Sequence, residues 1–370
     1  MVDVLARILT DIAVAGGIST FLAILLVIAQ RYLNDYGICK ININSKRDVP
    51  VTGGISLLGA LTDKQIFLPS ACGGRGSCGT CKCKILDGAG PLLPTEKPFL
   101  SPKELADNIR LSCQVKVKSD IKIEIPEAIF NIRRYKTRIS EIVDYTYDIK
   151  GVTFELLDPD TIDFKAGQYV QLETQPYGKV KQKTVRAYSI SSKPQDNKHL
   201  QLIIRLVPEG ICTTWVHTQL KVGDEAFLTG PYGDFFIRNT DADIIYVAGG
   251  SGKAPIKSML EDLQVKGCNR KMSYFFGARS LKDLYLTDEM NAFEQVFPDF
   301  KYIPVLSQPL PEDNWKGKTG FVMPYFKELI RDPKNTEAYL CGSPGMINAV
   351  QKALVELAVP KEKIYFDSFG

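Results

Sequence analysis

Four of the chain's nine cysteines fall within "ACGGRGSCGTCKCKI", residues 71–85. Disulfide knots, zinc sites and iron–sulfur clusters all use cysteines at this density. The spacing here is Cys72-x5-Cys78-x2-Cys81, with Cys113 thirty-two residues further on. A cluster of two irons and two sulfides needs four thiolates converging on a small volume, three from one tight loop and the fourth from a distant segment. Such a loop must wrap the cluster with its N–H groups aimed at sulfur, and Gly73, Gly74, Gly76 and Gly79 permit the backbone angles required. A zinc ribbon would want two C-x-x-C pairs where this stretch has one. The expected 2Fe–2S ligands are therefore Cys72, Cys78, Cys81 and Cys113. Cys83, two residues beyond Cys81, competes in principle but reads better as a small strand residue, and Cys39 as structural. An odd total of nine cysteines, five of them scattered, argues for a reduced compartment rather than a secreted disulfide framework.

The cysteine stretch resembles the plant-type and adrenodoxin-type ferredoxins, which implies a β-grasp fold, although its first gap is one residue longer than in the plant proteins. Three further motifs carry chemistry. In "RAYSISS" (186–192), Arg186 can neutralise a pyrophosphate through a charge-assisted fork. Tyr188 offers a flat face to an isoalloxazine, and Ser189 a hydroxyl near its N5. Arg186 and Tyr188, two apart, share one face of a strand. "GICT" (210–213) follows, whose Gly210 and Thr213 can present N–H and hydroxyl groups to phosphate, and "GPYG" (230–233) closes the segment. This ordered set resembles the ferredoxin–NADP reductase superfamily and implies FAD. "VAGGSGKAP" (247–255) resembles the same superfamily's nicotinamide loop. Gly249, Gly250 and Gly252 let a pyrophosphate approach the backbone at a positive helix end, with Ala254 and Pro255 opening the helix and Lys253 in a variable slot. Arg279 and Ser280 of "GARS" are expected beside the adenine ribose, where they could also meet a 2′-phosphate, so chemistry alone does not choose between NADH and NADPH. "CGSP" (341–344) matches the family's C-G-P-P loop, with Ser343 for the first proline, which puts Cys341 and Gly342 near the hydride path. In that superfamily a residue near the carboxyl terminus covers the flavin where nicotinamide must stack; the resemblance implies this role for Phe369 of "YFDSFG", with Asp367 a nearby polar candidate. Ser189, Cys341 and Phe369 are the expected catalytic group.

The elements that must position these residues change character along the 370 residues. Residues 12–29, "IAVAGGISTFLAILLVIA", carry no charge and, with the residues just before them, are long enough to cross a hydrocarbon core of roughly 30 Å. A retained anchor fits better than a cleaved signal peptide, since the run is long and "AQRYLND" lacks a small-x-small site. Basic residues favour its carboxyl side (Arg31, Lys40, Lys46, Arg47), which by the positive-inside rule puts the rest of the chain on the cytoplasmic side of a bacterial inner membrane. "ICKINI" (38–43) alternates as a strand, "SLLGALTDK" (56–64) has helical spacing, and strand-like runs follow at 81–85, 111–117 and 121–125. A basic linker, "FNIRRYK" (130–136), leads out. From 137 to about 236, short β-branched and aromatic runs separated by turns indicate a six-stranded antiparallel barrel. After 240, "DIIYVAGG" reads as a buried parallel strand and begins the alternation of a doubly wound α/β domain. The expected parts are an anchor (1–35), a ferredoxin-like domain (36–129), an FAD barrel (130–238) and an NAD(P)-binding domain (239–370).

Composition excludes some classes. Net charge is +4, from 46 basic against 42 acidic residues, with no long basic stripe, so nucleic acid is a poor partner. The two histidines, His199 and His217, lie far from the cysteines, which argues against Cys2His2 zinc and bis-histidine haem.

The order anchor, 2Fe–2S, FAD, nicotinamide resembles the family of F subunits of Na+-translocating NADH:quinone oxidoreductases over nearly the whole chain. "LPSACGGRGSCGTCKCKI", "PEDNWKGKTGF" and the terminal "DSFG" carry the likeness beyond general motifs. It implies an NADH:acceptor oxidoreductase that feeds single electrons through its cluster to a membrane acceptor leading to quinone, with other membrane subunits as partners. One departure is the short basic link "TQPYGKVKQKTV" (174–185), where that family has an extra segment; it bears on partner surfaces, not on the redox chemistry. The alternative is a membrane-tethered NADH-dependent reductase of an oxygenase system. A non-catalytic electron carrier is argued against by the intact RAYS, GGSGKAP and CGSP motifs and Phe369.

Overall fold

The computed structural model describes residues 2–33 and 36–369, and, within the first helix, the side chains of 10–28. Of the residues used above to orient the anchor, Arg31 lies outside the described side chains. Helix α1 spans Val2–Leu33. Its segment Thr10–Ile28 has a mean hydropathy of 2.2 and buries none of its surface. The chain divides into two compact units at Asn131–Ile132, with Ala71–Gly73 counted in the second.

The first unit holds a five-stranded sheet in the order β2-β1-β5-β3-β4. Its strands are β1 (Ile38–Ile43), β2 (Arg47–Thr52), β3 (Lys82–Asp87), β4 (Ile109–Leu111) and β5 (Ile121–Glu124). β1 and β2 form a hairpin whose two turn residues, Asn44 and Ser45, sit at φ 54° and 56°, the backbone hand that suits the twist of paired strands. β1 and β5 run parallel, the remaining pairs antiparallel. Helix α2 (Leu57–Asp63), capped by the Ser56 side chain, lays Leu57, Ala60 and Leu61 into the core. A five-residue helix, α3 (Pro102–Ala106), precedes β4. The run 111–117 departs from expectation. The strand ends at Leu111, and the amides of Gln114 and Val115 both fold back onto the Leu111 carbonyl. The alternating pattern ends in a turn, so Cys113 leaves the sheet instead of lying in it.

The second unit begins with a six-stranded antiparallel sheet in the order β10-β7-β6-β11-β8-β9. These strands are β6 (Arg133–Asp144), β7 (Ile149–Asp158), β8 (Tyr169–Glu173), β9 (Val185–Ser189), β10 (His199–Arg205) and β11 (Glu225–Tyr232). A bridge between Ile190 and Leu202 brings the end of β9 back to β10 and nearly closes the barrel. Helix α4 (Ile211–Thr218) lies between β10 and β11. The basic "FNIRRYK" is not a free linker: Arg133–Lys136 already form the start of β6, paired with β11. Its charged side chains can face outward because only alternate positions, Tyr135 and Thr137, enter the core.

A parallel sheet follows, in the order β15-β14-β13-β12-β16-β17. It comprises β12 (Asp243–Gly249), β13 (Met272–Ala278), β14 (Phe300–Leu306), β15 (Lys318–Thr319), β16 (Thr336–Gly342) and β17 (Ile364–Ser368). Helices α5 (Lys253–Lys266), α6 (Thr287–Val296), α7 (Phe326–Leu329) and α8 (Pro344–Glu356) connect them. One aromatic-rich core surrounds Tyr246, Tyr274 and Tyr339; a second contains Val247, Phe275 and Leu340. Alternate residues of the same strands feed the two, which is why their sequences read as unbroken apolar runs. The chain reverses its direction of winding between β12 and β16, and a crevice at the carboxyl ends of such strands is where ligands bind in this architecture.

Candidate active site and redox centres

In the cysteine loop, Gly73, Gly74, Gly76 and Gly79 take φ of 68°, 85°, 73° and 69°, a left-handed path that only glycine follows cheaply. The Ser70 hydroxyl accepts from the Gly74 amide at 2.8 Å. Cys81 and Cys113 lie within hydrogen-bonding reach of each other, and the Gly76 amide donates to the Cys113 sulfur. The Cys81 thiol lowers the Cys113 pKa to about 6, while the same contact and burial push Cys81 up. Gln114 Nε2 also points at Cys113 Sγ, at 3.7 Å. The Cys78 sulfur meets the Thr80 hydroxyl at 3.1 Å, and Cys72 is buried at the start of the glycine run. Among the described residues no three metal-ligating side chains gather round one ion; a two-iron cluster takes its thiolates two per iron, and the Cys81–Cys113 pair fits that demand. Left-handed glycines and an amide aimed at sulfur suit a 2Fe–2S group. Cys83 does not join them. It is buried in the main core beside residues such as Ile41 and Ile85, and burial lifts its thiol to about 12.

The turn bearing Cys113 is held by a buried ion pair that the sequence did not announce. The Glu96 carboxylate accepts from Arg110 Nη2 at 2.5 Å and Nε at 2.9 Å, from the Leu111 amide at 2.9 Å and from the Leu93 amide at 3.1 Å. Arg110 also donates to the Gly90 and Pro91 carbonyls. Burial alone would raise the Glu96 pKa, but Arg110 and the two amides bring it below the ordinary range. With the carboxylate met by the guanidinium and two amides, the pair escapes the penalty of an uncompensated buried charge.

On the barrel, Arg186, Tyr188 and Ser189 all lie on the edge strand β9. Arg186 Nη1 donates to the Val185 carbonyl at 2.7 Å. Tyr188 is pushed well above the usual tyrosine range by burial and by its contact with Cys212. Gly210 caps α4, and a Cβ there would come within 2.5 Å of the Thr213 hydroxyl. That hydroxyl is spent locally, donating to the Gly210 and Val207 carbonyls and accepting from the Val207 amide. Gln171 on β8, opposite Ala187 of β9, keeps a buried Nε2 with no partner. By register the unsatisfied donor shares the face of Ala187 and Ser189, while Arg186 and Tyr188 lie on the other; a strand with an arginine and a flat ring on one face and a free donor on the other suits a polar, flat flavin.

Ser189 Oγ donates to Asp367 Oδ2 at 3.1 Å. Asp367 pairs in register with Cys341 across β17 and β16, and burial raises its carboxyl above the ordinary range. Burial, then the Asp367 charge, holds the Cys341 thiol far above its usual value, so Cys341 is a neutral side chain and not a nucleophile. The Phe369 amide donates to the Gly342 carbonyl at 2.9 Å, and its ring packs partly against the core. Ser343 caps α8 through its side chain. Ser189, Cys341, Asp367 and Phe369 thus share one neighbourhood at the carboxyl ends of β16 and β17.

Gly249, Gly250 and Gly252 form the turn between β12 and α5, which opens with Lys253, Ala254 and Pro255. A Cβ on Gly252 would lie 2.2 Å from the Cys341 carbonyl oxygen, so the two ligand loops touch only because Gly252 has no side chain. Two roles here escaped sequence reasoning. Arg205, at the end of β10, brings its guanidinium near Gly250 while donating to Asp148 at 2.8 Å. Lys253 is completely buried, its Nζ donating to the Tyr285 carbonyl at 2.7 Å and the Tyr302 hydroxyl at 3.1 Å, over the rings of Phe276 and Tyr285. Burial lowers its pKa to about 7. Tyr285 in turn donates to the Gly250 carbonyl at 2.8 Å, so Lys253 braces the loop it opens. Arg279 and Ser280 stand at the end of β13, both engaged by Asp283.

Comparison with known proteins places these parts. The 2Fe-2S iron-sulfur cluster binding domain family matches residues 41–118, the oxidoreductase FAD-binding domain family 136–237 and the oxidoreductase NAD-binding domain family 246–352. Among solved structures, a cytochrome P450 reductase of Amycolatopsis superposes with a TM-score of 0.72 at 26% identity, over 90% of this chain and 98% of that one. The ferredoxin reductase in carbazole 1,9a-dioxygenase shares the fold at 0.70 and 24%, over 90% and 99%. The F subunit of the Na+-translocating NADH-quinone reductase of Pseudomonas aeruginosa is 34% identical over 388 positions, covering 94% of this chain and 95% of its own. That of Actinobacillus succinogenes is 35% identical over 391 positions, covering 94% and 95%. This likeness runs through all three cofactor domains, and the chain belongs to the family of F subunits of Na+-translocating NADH-quinone reductases.

Proposed function

We propose that this chain is the NADH-oxidising, electron-input subunit of a Na+-translocating NADH:quinone reductase-type complex. The observation that carries the reading is the meeting of Ser189, from the barrel, with Asp367, beside Cys341 on the parallel sheet. It joins the strand that would face the flavin to the loops that would hold nicotinamide. FAD when bound accepts two electrons as hydride and releases them singly, and a 2Fe–2S cluster carries them one at a time.

The chain's residues supply position and charge. Arg186 and the start of α4 after Gly210 would take the FAD pyrophosphate, and Tyr188 would pack the ring. The Ser189 hydroxyl, held by Asp367, would sit near the hydride-accepting edge. The turn Gly249–Gly252 and the amino end of α5 would take the NADH pyrophosphate. Cys341 and Gly342 would line the nicotinamide, and Phe369 would yield to it. Cys72, Cys78, Cys81 and Cys113 would ligate the cluster. The corresponding parts are residues 1–35, 36–129, 130–238 and 239–370, anchor first. α1 would hold them at the bacterial inner membrane, on the cytoplasmic side, against other membrane subunits that pass electrons to quinone.

Purification in mild detergent tests this. The expected result is flavin absorbance bleached by NADH, a rhombic EPR signal on reduction, and co-purifying membrane quinone-reductase subunits. A colourless, zinc-loaded protein would sink the reading; co-purifying oxygenase components would turn it towards the reductase alternative.

A further inference from the structure

The adenine end of the dinucleotide has its own arrangement. β13 is the strand next to β12, with Gly249 level with Gly277. In a doubly wound sheet the end of this second strand faces the adenine ribose, where an acidic residue reads a 2′-hydroxyl or an arginine admits a 2′-phosphate. Both residue types are present here, and the geometry shows which prevails.

Asp283 Oδ2 accepts from the Ser280 amide at 2.9 Å and the Ser280 hydroxyl at 3.0 Å. Its Oδ1 accepts from the Tyr147 hydroxyl at 2.9 Å and Arg279 Nη2 at 3.3 Å. Arg279 Nη2 also donates to the Tyr147 oxygen. The next amide, Leu281, is taken by Asp313 Oδ2 at 3.2 Å, which also holds the Leu310 amide. Burial works against the Asp283 charge, but the Ser280 amide, Tyr147, the Ser280 hydroxyl and Arg279 hold its pKa below the ordinary range. A 2′-phosphate recruits guanidinium, hydroxyl and amide donors. At this strand end Arg279 Nη2 and both the amide and the hydroxyl of Ser280 already serve the Asp283 carboxylate.

We propose that Asp283 makes this chain select NADH over NADPH, because its carboxylate engages Arg279 Nη2 and the Ser280 amide and hydroxyl, and sets a fixed negative charge where a 2′-phosphate would lie. This rests on the dinucleotide reading above. Specificity here is a device against the wrong ligand rather than an added contact for the right one.

The test uses the full-length, cofactor-loaded protein in detergent, with ferricyanide as acceptor and kcat/KM measured for NADH and NADPH. Asp283→Asn should lower the NADH/NADPH ratio roughly tenfold to a hundredfold, the worth of one charge-assisted hydrogen bond. Asp283→Asn combined with Arg279→Gln should lose the gained NADPH activity. A folding defect would depress both donors together and leave the ratio fixed, so binding of 2′,5′-ADP to the flavin-loaded variants is followed by calorimetry as well; it should strengthen in Asp283→Asn. An unchanged ratio with unchanged 2′,5′-ADP binding overturns the inference while leaving NADH oxidation standing. A wild-type protein that oxidises neither nucleotide overturns the functional reading itself.

Discussion

The Ser189 hydroxyl donates to the Asp367 carboxylate at 3.1 Å, linking residues 178 positions apart in sequence. Ser189 ends a barrel strand and Asp367 lies in the last strand of the parallel sheet. The bond fixes the direction in which the serine lone pairs point. It also explains why a carboxylate is kept in a place where burial disfavours its charge.

Removing that carboxylate should slow flavin reduction by NADH. For Asp367→Ala we expect kcat to fall roughly tenfold, the loss of one hydrogen bond to a charged group, with a smaller change in KM. Stopped-flow bleaching of the flavin checks it. The raised pKa adds a stability signature. Folded Asp367 keeps its proton to higher pH than the unfolded chain, whose value is near 3.8. Stability from this group is therefore full below that value and lost as pH rises through the folded one. Asp367→Asn should remove that component from melting curves taken upward in pH from the unfolded value of 3.8.

Gly252→Ala should separate the two halves of the chemistry. The added methyl would press to 2.2 Å from the Cys341 carbonyl oxygen, and backbone must move. Displacing the loop by about an ångström should cost on the order of a hundredfold in NADH kcat/KM. Reduction by dithionite should still produce the EPR signal of the cluster.

Lys253 gives the opposite pH slope. Burial lowers it to about 7 from 10.5. The unfolded chain then binds more protons than the folded one between those values, so stability rises with pH across that window. Lys253→Met should flatten the rise. It should also raise the KM for NADH, because Tyr285 loses its anchor and with it the grip on Gly250.

Two cysteine substitutions separate ligand from bystander. Cys113→Ala should abolish the reduced-cluster EPR signal and leave NADH reduction of the flavin. Cys83→Ala should keep the signal and lower stability by about 1 kcal/mol, as for a typical core truncation. Loss of signal in Cys83→Ala would falsify its exclusion.

Much of this was legible in the sequence because it depends on short spacing. "ICKINI", "DIIYVAGG" and the helix after "CGSP" became β1, β12 and α8. Their neighbours in sequence set the pattern of burial, and the glycine-rich motifs announce backbone that cannot be built otherwise. What stayed hidden depends on partners brought together by the fold. Lys253 reads as a variable slot of the nicotinamide loop until Tyr285 and Tyr302 enclose it. Asp283 reads as one more acid in "SLKDLYL" until Arg279, Ser280 and Tyr147 converge on it. Glu96 and Arg110 are fourteen positions apart. The strand misread at 111–117 alternates well, but pattern cannot report that the chain turns at Ser112 to free Cys113. "FNIRRYK" misled for the reverse reason: charge on the outer face of a barrel strand looks like a linker.

Helix α1 has a consequence for how electrons leave. Within Thr10–Ile28 the hydroxyls of Ser19 and Thr20 donate back to the Ala15 and Gly16 carbonyls, each at 2.8 Å. Both hydroxyls are thus answered within the helix, and neither needs a neighbour in lipid. A tether of that kind replaces a three-dimensional search for the acceptor with travel in a plane. Inserted in the bilayer, it would raise the concentration of the iron–sulfur domain at the surface without adding a contact to any partner. Docking between donor and acceptor can then be weak and brief, and turnover need not wait for a tight complex to come apart.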